Sequence, residues 1–258
     1  MELSLKDRVA VVTGASRGIG KGIALGLASE GVHVAICARE ESDLLQTEQE
    51  LQAKGVKTLA IPLDITLLES AGKLFSAVMG RFGHVDILVN NAGGNRRGLF
   101  ASLTNKDWVD LVELNLLSHA RITRAFIPQM RIQGCGVILF VASIYGRESG
   151  GTGVSIYNTT KSGVISLAKV LAAELAPHNI RVNSIAPGSI LFPGGTWERR
   201  LKKDPKGIAE FVRREIPLRR FGTVEEVANV AVFLASDRAS LVSGACINVD
   251  GCQSHSLI

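Results

Sequence analysis

The chain has 258 residues, of which 46% are hydrophobic, 21% charged and only 5% aromatic. That mix suits one large α/β domain with a core of Ala, Val, Ile and Leu. No apolar run approaches the ~20 residues of a membrane span, the first residues lack a signal-peptide pattern, and a net charge of +5 without interleaved aromatics does not mark a nucleic-acid binder.

Strand and helix periods alternate along the chain. A β-rich run over 8–12 leads through a Gly-rich turn into a helical pattern that reaches residue 30. A strand over 32–37, a polar helix over 40–54 and a strand over 56–63 follow. Next come a helix over 67–82 and a strand over 85–89, which ends in Asn90-Asn91-Ala92-Gly93-Gly94. A long helix is predicted over about 106–131, with Pro128 interrupting its end. Beyond it lie a strand over 137–142, a helix over 156–175 stopped by Pro177, and a strand over 180–185 that ends at Pro187-Gly188. Residues 189–221 read as irregular, before a helix over 224–235 and a last strand over 246–249. Strands separated by helices pair in parallel with right-handed crossovers. The expected fold is a single-domain, doubly wound, Rossmann-like sheet of about seven strands with helices on both faces. Such a sheet binds ligands at the carboxyl ends of its strands.

The run Thr13-Gly14-Ala15-Ser16-Arg17-Gly18-Ile19-Gly20 falls between the first strand and its helix. Gly14 permits the tight turn, Gly18 lets backbone approach a pyrophosphate, and Gly20 allows close helix–strand packing. Free N–H groups at the helix start would face the anion. No Gly-Lys-Ser/Thr follows, which excludes an ATPase loop. Cys37, Cys135, Cys246 and Cys252 form no Cys-x-x-Cys pair and the five histidines no His-x-x-x-His pair, so no metal site is expected.

Tyr157 and Lys161 are four residues apart in a predicted helix and so share one face. A tyrosine near pKa ~10 is a poor proton carrier at neutral pH, and an adjacent ammonium is expected to lower that value. Ser143, at the ligand-facing end of the preceding strand, could hydrogen-bond and orient a reacting oxygen.

The Gly-x-x-x-Gly-x-Gly spacing resembles the short-chain dehydrogenase/reductase family. Asn90-Asn91-Ala92-Gly93, Asn115, Ser143, Tyr157-Asn158-Thr159-Thr160-Lys161 and Pro187-Gly188 match it independently. The C-terminal half, from Ile216-Pro217-Leu218-Arg219-Arg220-Phe221-Gly222 to Asn248-Val249-Asp250-Gly251, looks like bacterial 3-ketoacyl-carrier-protein reductases. The resemblance implies a catalytic set of Asn115, Ser143, Tyr157 and Lys161. In it Asn115 acts through a local helix distortion that holds a water, and Lys161 also holds the nicotinamide ribose. It implies cofactor contacts at Gly14, Ser16, Arg17, Gly18, Ile19, Gly20, Arg39, Asp64, Ile65, Asn91, Ala92, Gly93, Tyr157, Lys161, Pro187, Gly188 and Ile190. It also implies a homo-oligomer, a tetramer, in the cytoplasm.

NAD-specific folds of this kind place an acid after the second strand, where it accepts from the ribose 2′-hydroxyl. Here that strand ends Ile36-Cys37-Ala38-Arg39, and a guanidinium suits the 2′-phosphate of NADP. Arg17 would share it, so the expected cofactor is NADP rather than NAD. Glu40, directly after Arg39, would serve NAD if the turn shifted by one residue. Asn90 is expected to brace its strand, and Tyr145 to line the substrate side.

Two features depart from the family pattern. No threonine stands between Gly188 and Thr196, so contact with the nicotinamide carboxamide is expected to fall to backbone around Ile190. Gly134 and Ala173 stand where carrier-protein reductases present arginines. The segment 189–221 is too long for an ordinary connection and is expected to be a substrate-side lid, with Phe192 and Trp197 facing the pocket. Between Arg199 and Arg220 nine basic residues stand against three acids, a local +6. That charge is either a solvated face or a surface that steers an acidic substrate. The expected partner is a small carbonyl or alcohol substrate, possibly a 3-ketoacyl thioester. An alcohol or sugar dehydrogenase is the alternative, and a cofactor-sensing regulator has no use for Tyr157.

Overall fold

The computed structural model describes residues 2–257. Among them, seven strands form one parallel sheet in the order β3-β2-β1-β4-β5-β6-β7. The strands are β1 (Val9–Thr13), β2 (His33–Ala38), β3 (Thr58–Pro62), β4 (Ile87–Asn90), β5 (Gly136–Val141), β6 (Ile180–Pro187) and β7 (Cys246–Val249). β1, Val-Ala-Val-Val-Thr, is buried along its whole length, as are β4 and β5. Continuous apolar strands of this kind are stable only when both faces of a sheet are covered.

Helices supply both covers. On one face, α1 (Gly18–Ser29) and α9 (Val224–Ala235) bring Ile23, Leu27, Val227 and Ala231 against Val12, Ile36 and Leu139. On the other, α3 (Ser70–Phe82), α5 (Ser118–Gln133) and α6 (Ser155–Leu175) bring Leu74, Phe126 and Val164 against Val11, Leu88 and Phe140. α2 (Glu41–Gln52) joins β2 to β3. The chain steps outward from β1 through β2 to β3, then returns to β1's other side with β4. That reversal opens a crevice at the strand ends.

Two helical expectations are corrected. The long helix over 106–131 is α4 (Asn105–Val112) and α5 joined by a π-turn, Glu113–Leu117, with Asn115 at its middle. Pro128 lies inside α5 and does not end it. The lost hydrogen bond is offset by Phe126 and Met130, both fully buried beside it, and the helix stops at Gly134, whose φ of 73° is the left-handed cap. The stretch 189–221 is not irregular either. It holds α7 (Thr196–Lys203) and α8 (Pro205–Glu215). Asp204 accepts from Gly207 N at 2.9 Å and Pro205 opens α8, an ordinary helix start.

Candidate active site

The carboxyl ends of β1, β2, β4, β5 and β6 surround a cleft of about 630 Å³. Its phosphate end is built by close approach. Gly14 has φ +64°, and a Cβ there would lie 2.7 Å from Ala92 Cα. A Cβ on Gly20 would lie 2.3 Å from Asn91 Nδ2 and 2.5 Å from Gly14 O. Asn91 stitches the two strand ends together: its Nδ2 donates to Thr13 O (2.9 Å) and Gly14 O (3.0 Å), and its backbone N–H donates to Thr13 Oγ1 (3.0 Å). Arg17 precedes α1 with no side-chain cap, so the first N–H groups of that helix are left for an anion.

At the end near β2 and β3, Ser16, Arg39, Asp64 and Ile65 line the cleft together with Glu40. Burial pushes the Asp64 carboxyl up, but hydrogen bonds from Thr66 N (3.0 Å) and Thr66 Oγ1 (2.8 Å), with the Arg39 charge, outweigh it and hold Asp64 below its usual range. Arg17 and Arg39 form no ion pair among the described residues.

At the far end, Ser143, Tyr157 and Lys161 line the same cleft as Pro187 and Gly188. Lys161 Nζ donates to Val141 O at 2.7 Å and stands 5.9 Å from the centre of the Tyr157 ring. Burial lowers the Lys161 pKa to about 8. The Tyr157 hydroxyl is raised, not lowered as the Tyr–Lys spacing suggested. Burial dominates, a hydrogen bond with Ser143 opposes it, and Tyr145 adds to it. With the Lys161 ammonium turned to Val141 O and 5.9 Å from the ring centre, the loss of solvation at Tyr157 prevails.

Asn115 does not line the cleft; it holds the wall. Its Oδ1 accepts from Gly94 N at 2.8 Å, and its Nδ2 donates to Gly94 O at 3.0 Å and to Thr160 Oγ1 at 3.1 Å. A Cβ on Gly93 would lie 3.2 Å from Asn115 Oδ1 and 3.6 Å from Lys161 Nζ, so the 93–94 turn passes tightly between them. Asn90 braces β4, donating to Thr123 Oγ1 at 2.9 Å.

His119, one turn beyond Asn115, carries no role in the sequence reading. It is fully buried, and its Nε2 lies 2.7 Å from Ala92 O. A carbonyl only accepts, so that nitrogen carries the hydrogen. Burial and then the Lys161 charge lower its pKa to about 3, against the hydrogen bond to Ala92. Its i+4 spacing from Asn115 was the available signal.

One expectation fails here, that Trp197 faces the cleft. The Ile190 side chain packs in the core, and the flanking backbone pairs with Gly222 (Leu191 N to Gly222 O, 2.9 Å; Gly222 N to Ser189 O, 3.0 Å). Ile190 therefore does not line the cleft, whereas Thr196 does. Trp197 faces Phe211 (4.7 Å between rings) and Phe221 (5.2 Å), a small apolar cluster internal to the segment. Phe192 does reach the cleft. Tyr145 stands close to Tyr157, its backbone N–H donating to Ser143 Oγ at 3.2 Å, and its ring lies where a Gly150 Cβ would approach within 2.5 Å. Among the described residues no helix is long and apolar enough to cross a membrane, and no group of three His, Cys, Asp or Glu side chains could hold a metal ion.

A family model described as enoyl-(acyl carrier protein) reductase matches residues 14–253. The 3-oxoacyl-acyl-carrier-protein reductase of Staphylococcus epidermidis is 38% identical over 246 residues, covering 95% of this chain and 98% of that protein. The enzyme of the same name from Aquifex aeolicus is 38% identical over 252 residues, covering 97% and 99%. Among solved structures, L-sorbose reductase from Gluconobacter frateurii, complexed with NADPH and L-sorbose, superposes with a TM-score of 0.95 at 36% identity, covering 100% of both chains. NAD+-bound xylitol dehydrogenase gives 0.89 at 30%, covering 95% of this chain and 98% of that one.

Proposed function

The chain belongs to the short-chain dehydrogenase/reductase family, and from that premise we propose that it is an NADP-dependent oxidoreductase acting on a ketone or secondary alcohol. One observation carries the reading: Ser143, Tyr157 and Lys161 share a single cleft with an uncapped helix start and the unpaired Arg17 and Arg39. The arrangement fits a phosphorylated dinucleotide, with α1 at the pyrophosphate, Arg17 and Arg39 at the 2′-phosphate and Asp64 and Ile65 beside the adenine. When bound, the nicotinamide supplies or accepts the hydride. The protein's own residues do the rest. Ser143 donates a hydrogen bond to the carbonyl oxygen and orients it. Tyr157 delivers its phenolic proton to that oxygen as negative charge develops. Lys161, held by Val141, faces the ribose. Asn115 and His119 keep the 92–94 backbone in place beside it.

The substrate is proposed as a ketone, a 3-ketoacyl thioester among the candidates. A sugar or polyol is the second reading, favoured by the fit to the sorbose reductase and xylitol dehydrogenase structures. The protein is proposed to act as a homotetramer in the cytoplasm; Val109, Leu117 and Val170 on the run from α4 to α6 are exposed apolar side chains that a second copy would cover. A panel of 3-ketoacyl thioesters and ketoses with NADPH, and of alcohols and polyols with NADP+, followed by nicotinamide absorbance, tests the reading. Turnover of at least one pair is expected. No turnover with either NADP(H) or NAD(H) would end it.

We also propose that α7 and α8 act as the lid over 189–221, moving as one body around the cluster of Trp197, Phe211 and Phe221. Hydrogen exchange in this segment is expected to slow when NADP+ binds. Equal, strong protection with and without NADP+ would rule the lid out.

A further inference from the structure

Of the nine basic residues from Arg199 to Arg220, four have an acidic partner among the described residues. Lys202 pairs with Glu198 at 3.1 Å, Arg213 with Glu210 at 4.0 Å and Arg214 with Glu215 at 2.6 Å, while Arg220 pairs with Glu226 at 2.5 Å. Arg200 lies over the Trp197 ring, 5.1 Å from its centre. Arg199 behaves differently. It has no acidic partner among the described residues, it lines the cleft, and its side chain donates from Nη2 to Thr196 Oγ1 at 3.3 Å.

The surroundings of Arg199 place it along the cleft. The Phe192 ring lies over the start of α1: a Cβ on Gly18 would stand 2.7 Å from Phe192 Cε2. A Cβ on Gly194 would stand 3.4 Å from Arg17 Nη1, and Gly194 N is held by Glu198 Oε2 at 2.9 Å. This stretch of the lid therefore sits above the phosphate loop, while Arg39 and Asp64 mark the end near β2 and β3. Three guanidinium groups, Arg17, Arg39 and Arg199, line one cleft with no ion pair to neutralise them. Of the three, Arg199 alone comes from the lid, on α7.

We infer that Arg199 binds the pyrophosphate of the dinucleotide from the lid side, closing a clamp whose other jaw is the start of α1. The inference rests on the dinucleotide reading above and adds to it a residue outside the phosphate loop and the β2 end. It makes the lid respond to phosphate charge, because an anion between the two jaws relieves the repulsion between Arg199 and Arg17. A guanidinium suits this role, since its planar fork can engage two phosphate oxygens.

The test is R199Q, studied by titration calorimetry with NADPH and separately with NADH. Arg199 is exposed, so the variant is expected to fold as the wild type does. A pyrophosphate contact is common to both dinucleotides, so both affinities are expected to fall by about tenfold, the scale of a charge-assisted hydrogen bond, with their ratio unchanged. Loss for NADPH alone would place Arg199 on the 2′-phosphate and overturn the clamp, and so would unchanged affinity for both. A wild-type protein that binds neither dinucleotide would overturn the cofactor reading itself, and the clamp with it.

Discussion

Tyr157→Phe is expected to lower kcat by ~10² or more while leaving NADPH affinity within about twofold. The substitution keeps the ring and its packing and removes only the proton that moves. Near-normal turnover in the variant would show that the proton comes from elsewhere. The direction of the Tyr157 shift adds a pH signature. A phenol raised above its ordinary value is protonated at neutral pH, which is the form that reduction of a ketone consumes. Oxidation of an alcohol needs the deprotonated form, so its rate is expected to climb as pH rises into the alkaline range, while reduction near neutrality stays flat. Cofactor binding enters this balance, because an ammonium at Lys161 with a pKa of about 8 also changes its charge there.

Arg39→Ala is expected to weaken NADPH binding by ~1.5–3 kcal/mol, the worth of a hydrogen bond to a charged group, with NADH affinity little changed. The contrast between the two cofactors is the informative part. General damage to the end of β2 would weaken both. The residue beside it sets the alternative: Glu40 also lines the cleft and immediately precedes α2, so a wild-type preference for NADH would turn attention to its carboxylate.

The sheet and the glycine-rich turn before α1 were legible because local patterns there coincide with global needs. β1, β4 and β5 are short apolar runs bounded by glycine or asparagine, and each is buried on both faces. The glycines at 14 and 20 follow from backbone packing that no side chain can enter. Other features depend on distant partners. The π-turn at Asn115 has no local marker, since Glu-Leu-Asn-Leu-Leu would continue an α-helix; what favours it is the pair of hydrogen bonds to Gly94, reached across the cleft wall. Trp197 was misplaced for a similar reason. An aromatic after Gly-Gly in a cleft-side segment suggests a ligand, but Phe211 and Phe221 come together only once α7 folds back on α8. The start of α8 was missed although Asp204-Pro205 is a helix-opening pair. The state of Tyr157 was not readable, because spacing on a helix places Lys161 nearby but does not show that Val141 holds its ammonium.

The position of β1 has a consequence for synthesis. The first strand made lies inside the sheet, third of its seven strands, and its two neighbours are produced far apart: Val9 pairs with His33, but Ala10 also pairs with Ile87. At ~5–20 residues per second, β4 follows β1 off the ribosome by ~4–15 s. Throughout that interval Val-Ala-Val-Val-Thr has one open hydrogen-bonding edge and no cover from α5 or α6 on its far face. An apolar edge left waiting is where one nascent chain can join another. Codon choice over residues 14–86 is therefore expected to govern how much of the protein is recovered folded, even where it leaves the final stability untouched.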